Sequence, residues 1–292
     1  MTTGLVHLVV TVMDKHHRFV TDLDRDDFKI YENGVPQDIR FFGRETNLPL
    51  RIAVLLDTSN SIRLRMQFEK NAAEDFLQDV IRRGKDEAFL MTFDNEPEVI
   101  QDYTDQLYLL TAAIDAQRAG GGTALNDAIY MAAQKLEKAP LMRGQTSDLR
   151  RVIVVISDGN DDLSDHAFSD AVEEAIRSEA VIYTVSSDAD WLAIDDPDKP
   201  KKYNMDPGDK VLRSLAEQTG GRAFFPYSVD DLAVSFENIG TELRSQYFIA
   251  YSPANPPTAG EYRQIEVRTD RKGLIVRTRR GYYAAAGNSS GN

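Results

Sequence analysis

Two runs of almost uninterrupted apolar residues, each closed by an acid, constrain this chain more than anything else in it. Arg51-Ile52-Ala53-Val54-Leu55-Leu56 leads into Asp57, and Val152-Ile153-Val154-Val155-Ile156 leads into Ser157-Asp158-Gly159. A strand this apolar needs both its faces covered, a condition met by parallel strands clad with helices. From about 48 to 244 strand-like and helix-like stretches alternate, which implies an α/β architecture: a doubly wound, mostly parallel sheet with helices on both faces. The pattern predicts strands at 51–57, 88–94, 151–157, 180–186 and 222–225, with an antiparallel edge strand at 97–102. It predicts helices at 62–83, 105–117, 124–138, 166–179, 208–219 and 229–244. Thr123 stands where the third of these would take its N-cap, and Gly220-Gly221 closes the helix ending at Thr219.

The two ends of the chain read differently. Leu5 to Val12 has strand composition, and Phe28-Lys29-Ile30-Tyr31-Glu32 alternates up to Asn33-Gly34, the strongest short hairpin signal. Gln37 to Phe42 continues that pattern, and β character returns at 247–251, 261–269 and 273–280. Neither end is long enough to bury a face alone, so one small β-sandwich built from both, with the α/β domain inserted between them, is the simplest arrangement. Two separate small β units are the alternative. The expected organisation is therefore 1–47 and 245–286 as the two β segments, 48–244 as the α/β domain, and a disordered Gly/Ser/Asn tail at 287–292.

Composition removes several classes of function. The formal charge of -13, from 47 acids against 34 basic residues, argues against a nucleic-acid partner and against anionic membrane surfaces. Cysteine is absent, which excludes disulfides, thiolate metal sites and cysteine nucleophiles. No run approaches the roughly 18 apolar residues that span a bilayer, and no signal segment opens the sequence as given.

The carboxyl ends of strands are where open α/β sheets hold their ligands. There the turn Asp57-Thr58-Ser59-Asn60-Ser61 sets one acid and two hydroxyls at alternate positions, able to face one hard cation. All-oxygen donors suit Mg²⁺, Mn²⁺ or Ca²⁺ and disfavour zinc or copper. The competing reading of that turn is N-cap chemistry for the helix behind it. Thr123 ends the run Gly120-Gly121-Gly122, which lets backbone fold close to an ion, and Asp158 ends the second buried strand. In a doubly wound sheet these pieces meet at the switch point.

On these residues the chain resembles the von Willebrand factor A domain, whose metal-ion-dependent adhesion site is written Asp-x-Ser-x-Ser, then Thr, then Asp. The five positions are Asp57, Ser59, Ser61, Thr123 and Asp158. The flanks are similar to those of bacterial, acidobacterial-type VWFA-related proteins: Asp27-Phe28 through Glu32-Asn33-Gly34, Tyr251-Ser252-Pro253, and Arg280-Gly281-Tyr282-Tyr283. The resemblance implies a Rossmann-like domain over about 48–244 that holds a divalent cation, Mg²⁺ before Mn²⁺ or Ca²⁺. With few carboxylates on it, such an ion keeps residual charge, because hydroxyls coordinate without cancelling it. It then accepts an Asp or Glu side chain from a partner protein. Non-enzymatic adhesion follows, with an exported, cell-envelope or extracellular location and no direct membrane insertion.

Other readings compete with this one. An assembly module with a purely structural metal is one. A phosphohydrolase is another, but Ser59 occupies the position where a second Asp is needed as general acid. No Gly-x-Ser-x-Gly elbow supports a serine hydrolase, and no Lys follows the glycine run to support a phosphate loop. Asp158, Asp161, Asp162 and Asp165 form either a second, calcium-like site or a solvated loop; His7, His16, His17 and His166 read as surface residues. Trp191 and the proline-punctuated stretch 195–203 either shape partner choice or are an irrelevant insertion. Helix 229–244 runs straight into the strand at 246–251; by resemblance, partner binding shifts it, the alternative being a silent hinge.

Overall fold

The computed structural model describes residues 5–44, 48–140, 149–187, 205–226 and 229–284. Trp191 with the 195–203 stretch, and the tail at 287–292, lie outside them. In chain order the amino-terminal strands are β1 (Val6–Met13), β2 (Phe28–Glu32), β3 (Val35–Gln37) and β4 (Ile39–Gly43). Then come β5 (Leu50–Asp57), α1 (Met66–Val80), β6 (Glu87–Phe93), β7 (Pro97–Thr104), α2 (Leu107–Asp115), α3 (Leu125–Lys138), β8 (Arg150–Ser157) and α4 (Phe168–Arg177). β9 (Ala180–Ser186), α5 (Pro207–Thr219), β10 (Ala223–Phe224) and α6 (Val229–Leu243) follow, and β11 (Tyr247–Tyr251), β12 (Tyr262–Thr269), β13 (Ile275–Arg277) and β14 (Gly281–Tyr283) end the chain.

Two compact units emerge. One comprises Leu48–Glu217 with Arg222–Gly240; the other comprises Met1–Asn47, Gln218–Gly221 and Thr241–Asn292. The first carries a six-stranded sheet in the order β10-β9-β8-β5-β6-β7, parallel except for the antiparallel edge strand β7. Every residue of β5 is buried, as that apolar run demands. Its neighbours are β6 on one side and β8 on the other, so the strand order reverses between β5 and β8. Asp86, in the turn before β6, anchors the start of β5: it accepts the Leu50 amide at 2.8 Å and the Arg82 Nε at 2.7 Å. Phe76 of α1 packs on Phe236 of α6, with ring centroids 5.5 Å apart.

Helix starts differ from the sequence reading. α1 begins at Met66 instead of 62, because residues 61–65 form a turn that buries Ile62. α3 takes no hydroxyl cap from Thr123: the Leu125 and Asp127 amides donate to Asp161 Oδ1 at 2.9 Å and Ser164 Oγ at 3.1 Å.

The second unit is built from two four-stranded sheets, β13-β1-β11-β4 and β14-β12-β2-β3, in which every pairing is antiparallel. Asn33 and Gly34 link Glu32 to Val35 with φ of 49° and 79°, the left-handed pair that a two-residue hairpin requires. Phe28 of one sheet meets Tyr247 of the other edge-on, at 5.1 Å between centroids. The flanking motifs converge on one buried carboxylate. Glu32 accepts the Tyr251 hydroxyl at 2.7 Å, the Tyr282 hydroxyl at 3.0 Å and Arg263 Nη1 at 2.7 Å. Burial, with Glu32 as acceptor, raises both tyrosine hydroxyls far above their ordinary range and keeps them as donors. Gly281 has no room for a side chain, since a Cβ there would lie 2.4 Å from the Tyr262 ring tip. Among the described residues, no helix is long and apolar enough to cross a membrane.

Candidate metal centre

Asp57 ends β5 and Asp158 follows the last residue of β8, and Leu56 pairs with Ile156 in the parallel register. The two acids therefore leave the sheet side by side at the switch point, the crevice where such sheets bind ligands. Asp57 is fully buried. Its Oδ1 accepts the Ser59 amide at 2.8 Å, and its Oδ2 accepts the Ser157 hydroxyl at 2.6 Å. Ser157 Oγ accepts the Gly159 amide at 3.0 Å, so its one proton is committed to Asp57. The hydroxyl oxygens of Ser59 and Ser61 lie 2.9 Å apart, Ser59 buried and Ser61 exposed.

The glycine run is tied to this turn by backbone. The Asn60 amide donates to Gly121 O at 3.0 Å and the Gly120 amide to Thr58 O at 2.7 Å. Asn95 Oδ1 receives the Gly122 amide at 2.9 Å, which brings in the turn after β6. A Cβ on Gly122 would lie 2.3 Å from Leu163 Cδ1, so the exposed Leu163 side chain would have to move to admit one. Thr123 is buried, its amide donating to Asp162 Oδ1 at 2.7 Å while its carbonyl accepts the Asp162 and Leu163 amides. Asp158 Oδ1 accepts the Asn160 amide at 3.0 Å. Gly159, at φ 81°, passes so close to Gly208 that a Cβ would meet the Gly208 carbonyl oxygen at 2.3 Å.

Asp57, Ser59, Ser61, Thr123 and Asp158 are thus all drawn to one sheet edge by three interlocked loops. Burial pushes the Asp57 carboxyl up to about 6; hydrogen bonds from Ser157 and Ser59 pull it down, and the Asp158 charge raises it again. None of these principal influences is a basic side chain. A buried carboxylate beside a second acid, with no basic side chain among its principal influences, gains from a bound cation. The donors fit a hard divalent ion, with hydroxyls and carboxylate oxygens and no sulfur or imidazole. Among the described residues, no three His, Cys, Asp or Glu side chains are grouped so as to hold a metal by themselves. A cation at this edge would depend on the hydroxyls.

Asp161, Asp162 and Asp165 are exposed in a loop, as the solvated-loop reading has them, and two of these acids also bind the second loop. Asp161 accepts the Leu125 amide, the Ser164 hydroxyl and the Asn126 side-chain amide, and Asp162 accepts the Thr123 amide. These acids buckle the third loop onto the second. His7, His16 and His17 are exposed, but His166 Nδ1 lies 2.7 Å from Asp127 Oδ1 and its ring stacks on Tyr130 at 3.9 Å. Sequence reasoning passed over Ser157, although its place between a buried strand and Asp158 was the available signal. Asn95 left no local trace.

Residues 52–160 match the family model described as von Willebrand factor type A domain. A curated relative, a "UPF0353 protein" from Nocardia farcinica (strain IFM 10152), is 22% identical over 211 residues, which is 67% of this chain and 62% of that protein. The match thus spans less than two thirds of the relative's length. Among solved structures, an aerotolerance-related membrane protein from Bacteroides fragilis NCTC 9343, with multiple mutations to serines, superposes with a TM-score of 0.50. It is 17% identical and covers 66% of this chain and 98% of that one. A von Willebrand factor type A structure from Catenulispora acidiphila gives 0.50 at 12% identity, covering 90% of this chain and 74% of that one. At these identities the structures speak for the fold alone. The stretch 52–160 is thus similar in sequence to the von Willebrand factor type A domain, and the fold that carries it is shared with the von Willebrand factor type A structure from Catenulispora acidiphila.

Proposed function

We propose that this protein is a cation-dependent protein-binding module and not an enzyme. Its metal-ion-dependent adhesion site is formed by Asp57, Ser59, Ser61, Thr123 and Asp158. The cation is Mg²⁺, with Mn²⁺ or Ca²⁺ as substitutes, and its remaining coordination is completed by an Asp or Glu side chain of a partner protein. The observation that carries this reading is the buried Asp57 carboxylate, influenced chiefly by hydroxyl and amide donors and a second acid, beside two hydroxyls 2.9 Å apart. Asp57 would bring the one full negative charge closest to the ion, with Ser59 and Ser61 contributing neutral oxygens. That leaves a divalent ion net positive and receptive to an anionic oxygen. Ser59 stands two positions after Asp57, where a phosphohydrolase of this type would need a second Asp, which supports adhesion over phosphoryl hydrolysis. The similar Bacteroides fragilis protein is named as a membrane protein. With the resemblance of the flanks, that supports placing this chain at the cell envelope or outside it.

The reading is tested by titration calorimetry of the full chain with Mg²⁺ and Mn²⁺. A library of peptides bearing one Asp or Glu is then presented, with cation and with chelator. Binding that needs both the cation and the peptide carboxylate, and that disappears in Asp57→Ala, is the expected result. Cation binding with no carboxylate-dependent capture would point to a purely structural ion. No cation binding at all would end the proposal.

A further inference from the structure

Behind the candidate centre lies a carboxyl group that the fold itself does not use. Glu69 stands on the first turn of α1, a helix that packs on β5 and β8, and it is fully buried. Its neighbours on the buried face of the helix are Met66, Phe68, Ala72, Ala73 and Phe76. Neither of its oxygens has a hydrogen-bond partner. The Ser187 hydroxyl, just past the end of β9, is likewise buried and unpartnered, and it stands near enough to Glu69 to lower its pKa. A buried polar atom without a partner is costly, and native proteins keep few of them. A leucine at this position would fill the space without that cost, so the acid calls for an explanation outside the packing of the helix.

We propose that Glu69 is a positioning residue of the candidate cation site, accepting hydrogen bonds from water carried by a bound divalent cation. The inference rests on the cation-site reading above. Mg²⁺ gives up its hydration reluctantly and retains several waters when protein-bound, and the protons of those waters need acceptors. The two Asp57 oxygens are engaged with the Ser59 amide and Ser157, and Asp158 Oδ1 with the Asn160 amide. Glu69 supplies two acceptor oxygens, with the Ser187 hydroxyl the donor that acts on them. It stands in the first turn of α1, on the two strands that lead to Asp57 and Asp158; burial raises its pKa well above the ordinary range, Asp57 and Asp158 add to the rise, and Ser187 and Arg65 oppose it. It does not join the direct ligands, because the described acids form no group of three that could hold a metal. A carboxyl that is felt by both acids yet stands outside the ligand group has the place of an outer-sphere acceptor. Removing such a partner commonly costs a site roughly 10- to 100-fold in affinity.

The experiment compares the full chain with Glu69→Gln and Glu69→Leu by calorimetry with Mg²⁺ and Ca²⁺, and by thermal unfolding in chelator. Expected for Glu69→Gln is a loss of Mg²⁺ affinity of about 10-fold or more, with a smaller loss for Ca²⁺, which replaces more of its water with protein oxygens. Glu69→Leu unfolds in chelator at the wild-type temperature or above it, because an unpartnered polar group has been removed, and Glu69→Gln, which keeps a polar group of the same shape, unfolds near the wild-type temperature. Mg²⁺ affinity of Glu69→Gln within about twofold of wild type, against the order of magnitude expected, overturns the proposal while leaving the cation site standing. Variants that fail to fold, or that unfold well below wild type in chelator, show a purely structural acid and overturn it too. Absence of cation binding in the wild type removes both readings together, and the wild-type titration tells that case from the others.

Discussion

Removing the Ser157 hydroxyl should expose how the Asp57 carboxylate is held. In Ser157→Ala two bonds vanish: the 2.6 Å donation to Asp57 Oδ2 and the 3.0 Å acceptance of the Gly159 amide. Ser157 and Asp57 are fully buried, so water replaces neither bond cheaply. A hydrogen bond to a charged group contributes about 1.5–3 kcal/mol, and a stranded buried amide costs about 1–3 kcal/mol. With partial relaxation the expected loss is about 3–4 kcal/mol while Asp57 is ionised. The loss depends on pH. Asp57 is held at about 6, above the ordinary 3.8, so it is protonated at lower pH and its bond to Ser157 becomes an ordinary neutral one. Such a bond is worth about 1 kcal/mol, so the penalty shrinks to about 2 kcal/mol near pH 5. The sign follows from linkage. Deleting a donor to the charged form raises the folded-state pKa further, and a raised acid contributes stability that is lost as pH rises. Urea unfolding in chelator at about pH 5 and pH 8, followed by far-UV circular dichroism of the helices, measures both values. A loss below about 0.5 kcal/mol at the higher pH, or one no larger there than at the lower, would refute this account of the carboxylate.

Other outcomes follow from the same kind of reasoning. In chelator, wild-type stability should fall as pH rises from about 4 to above 6, Asp57 alone accounting for about 3 kcal/mol (a shift from 3.8 to about 6, at about 1.4 kcal/mol per unit). Glu69 acts in the same direction, and saturating Mg²⁺ should flatten the slope; thermal scans across pH read this, and stability that climbs through the window in chelator contradicts it. Glu32→Ala should cost the β unit about 2–4 kcal/mol by leaving two buried tyrosine hydroxyls without their acceptor, while Arg263 keeps Glu261 and two carbonyls. Hydrogen exchange in β2, β12 and β14 is the measurement, and protection unchanged within about 1 kcal/mol counts against it. Burial raises the Asp86 carboxyl, but Arg82 and the Leu50 and Arg82 amides outweigh it and hold it below 3.8. The stability it confers is present above that value and lost on acidification, so Asp86→Asn should be the weaker protein at neutral pH and converge with wild type in acid titrations.

Much of this architecture was legible one segment at a time. The apolar run 51–56 could only be a covered strand, and every residue of β5 is buried. Asn33-Gly34 announced its hairpin because two adjacent left-handed residues suit few other pairs. The edge strand β7 was readable from a short, half-polar segment beside a buried one. Capping was not: Thr123 had the right chemistry for α3, but Asp161 and Ser164, more than thirty residues on, reached its first turn instead. Glu69 carried no signal of its own in the sequence, and its burial is visible only in the fold.

What the sequence by itself determined was periodicity, turn chemistry and the residue types at strand ends, since these act between neighbours within a few positions. Only the tertiary structure decided which distant groups share a space: Ser157 on Asp57, 100 residues apart, and Tyr251 and Tyr282 on Glu32, 219 and 250 residues apart. The physical reason is that desolvation and hydrogen-bond satisfaction belong to the packed surroundings of a group, and those surroundings are assembled from segments whose local patterns carry no record of one another.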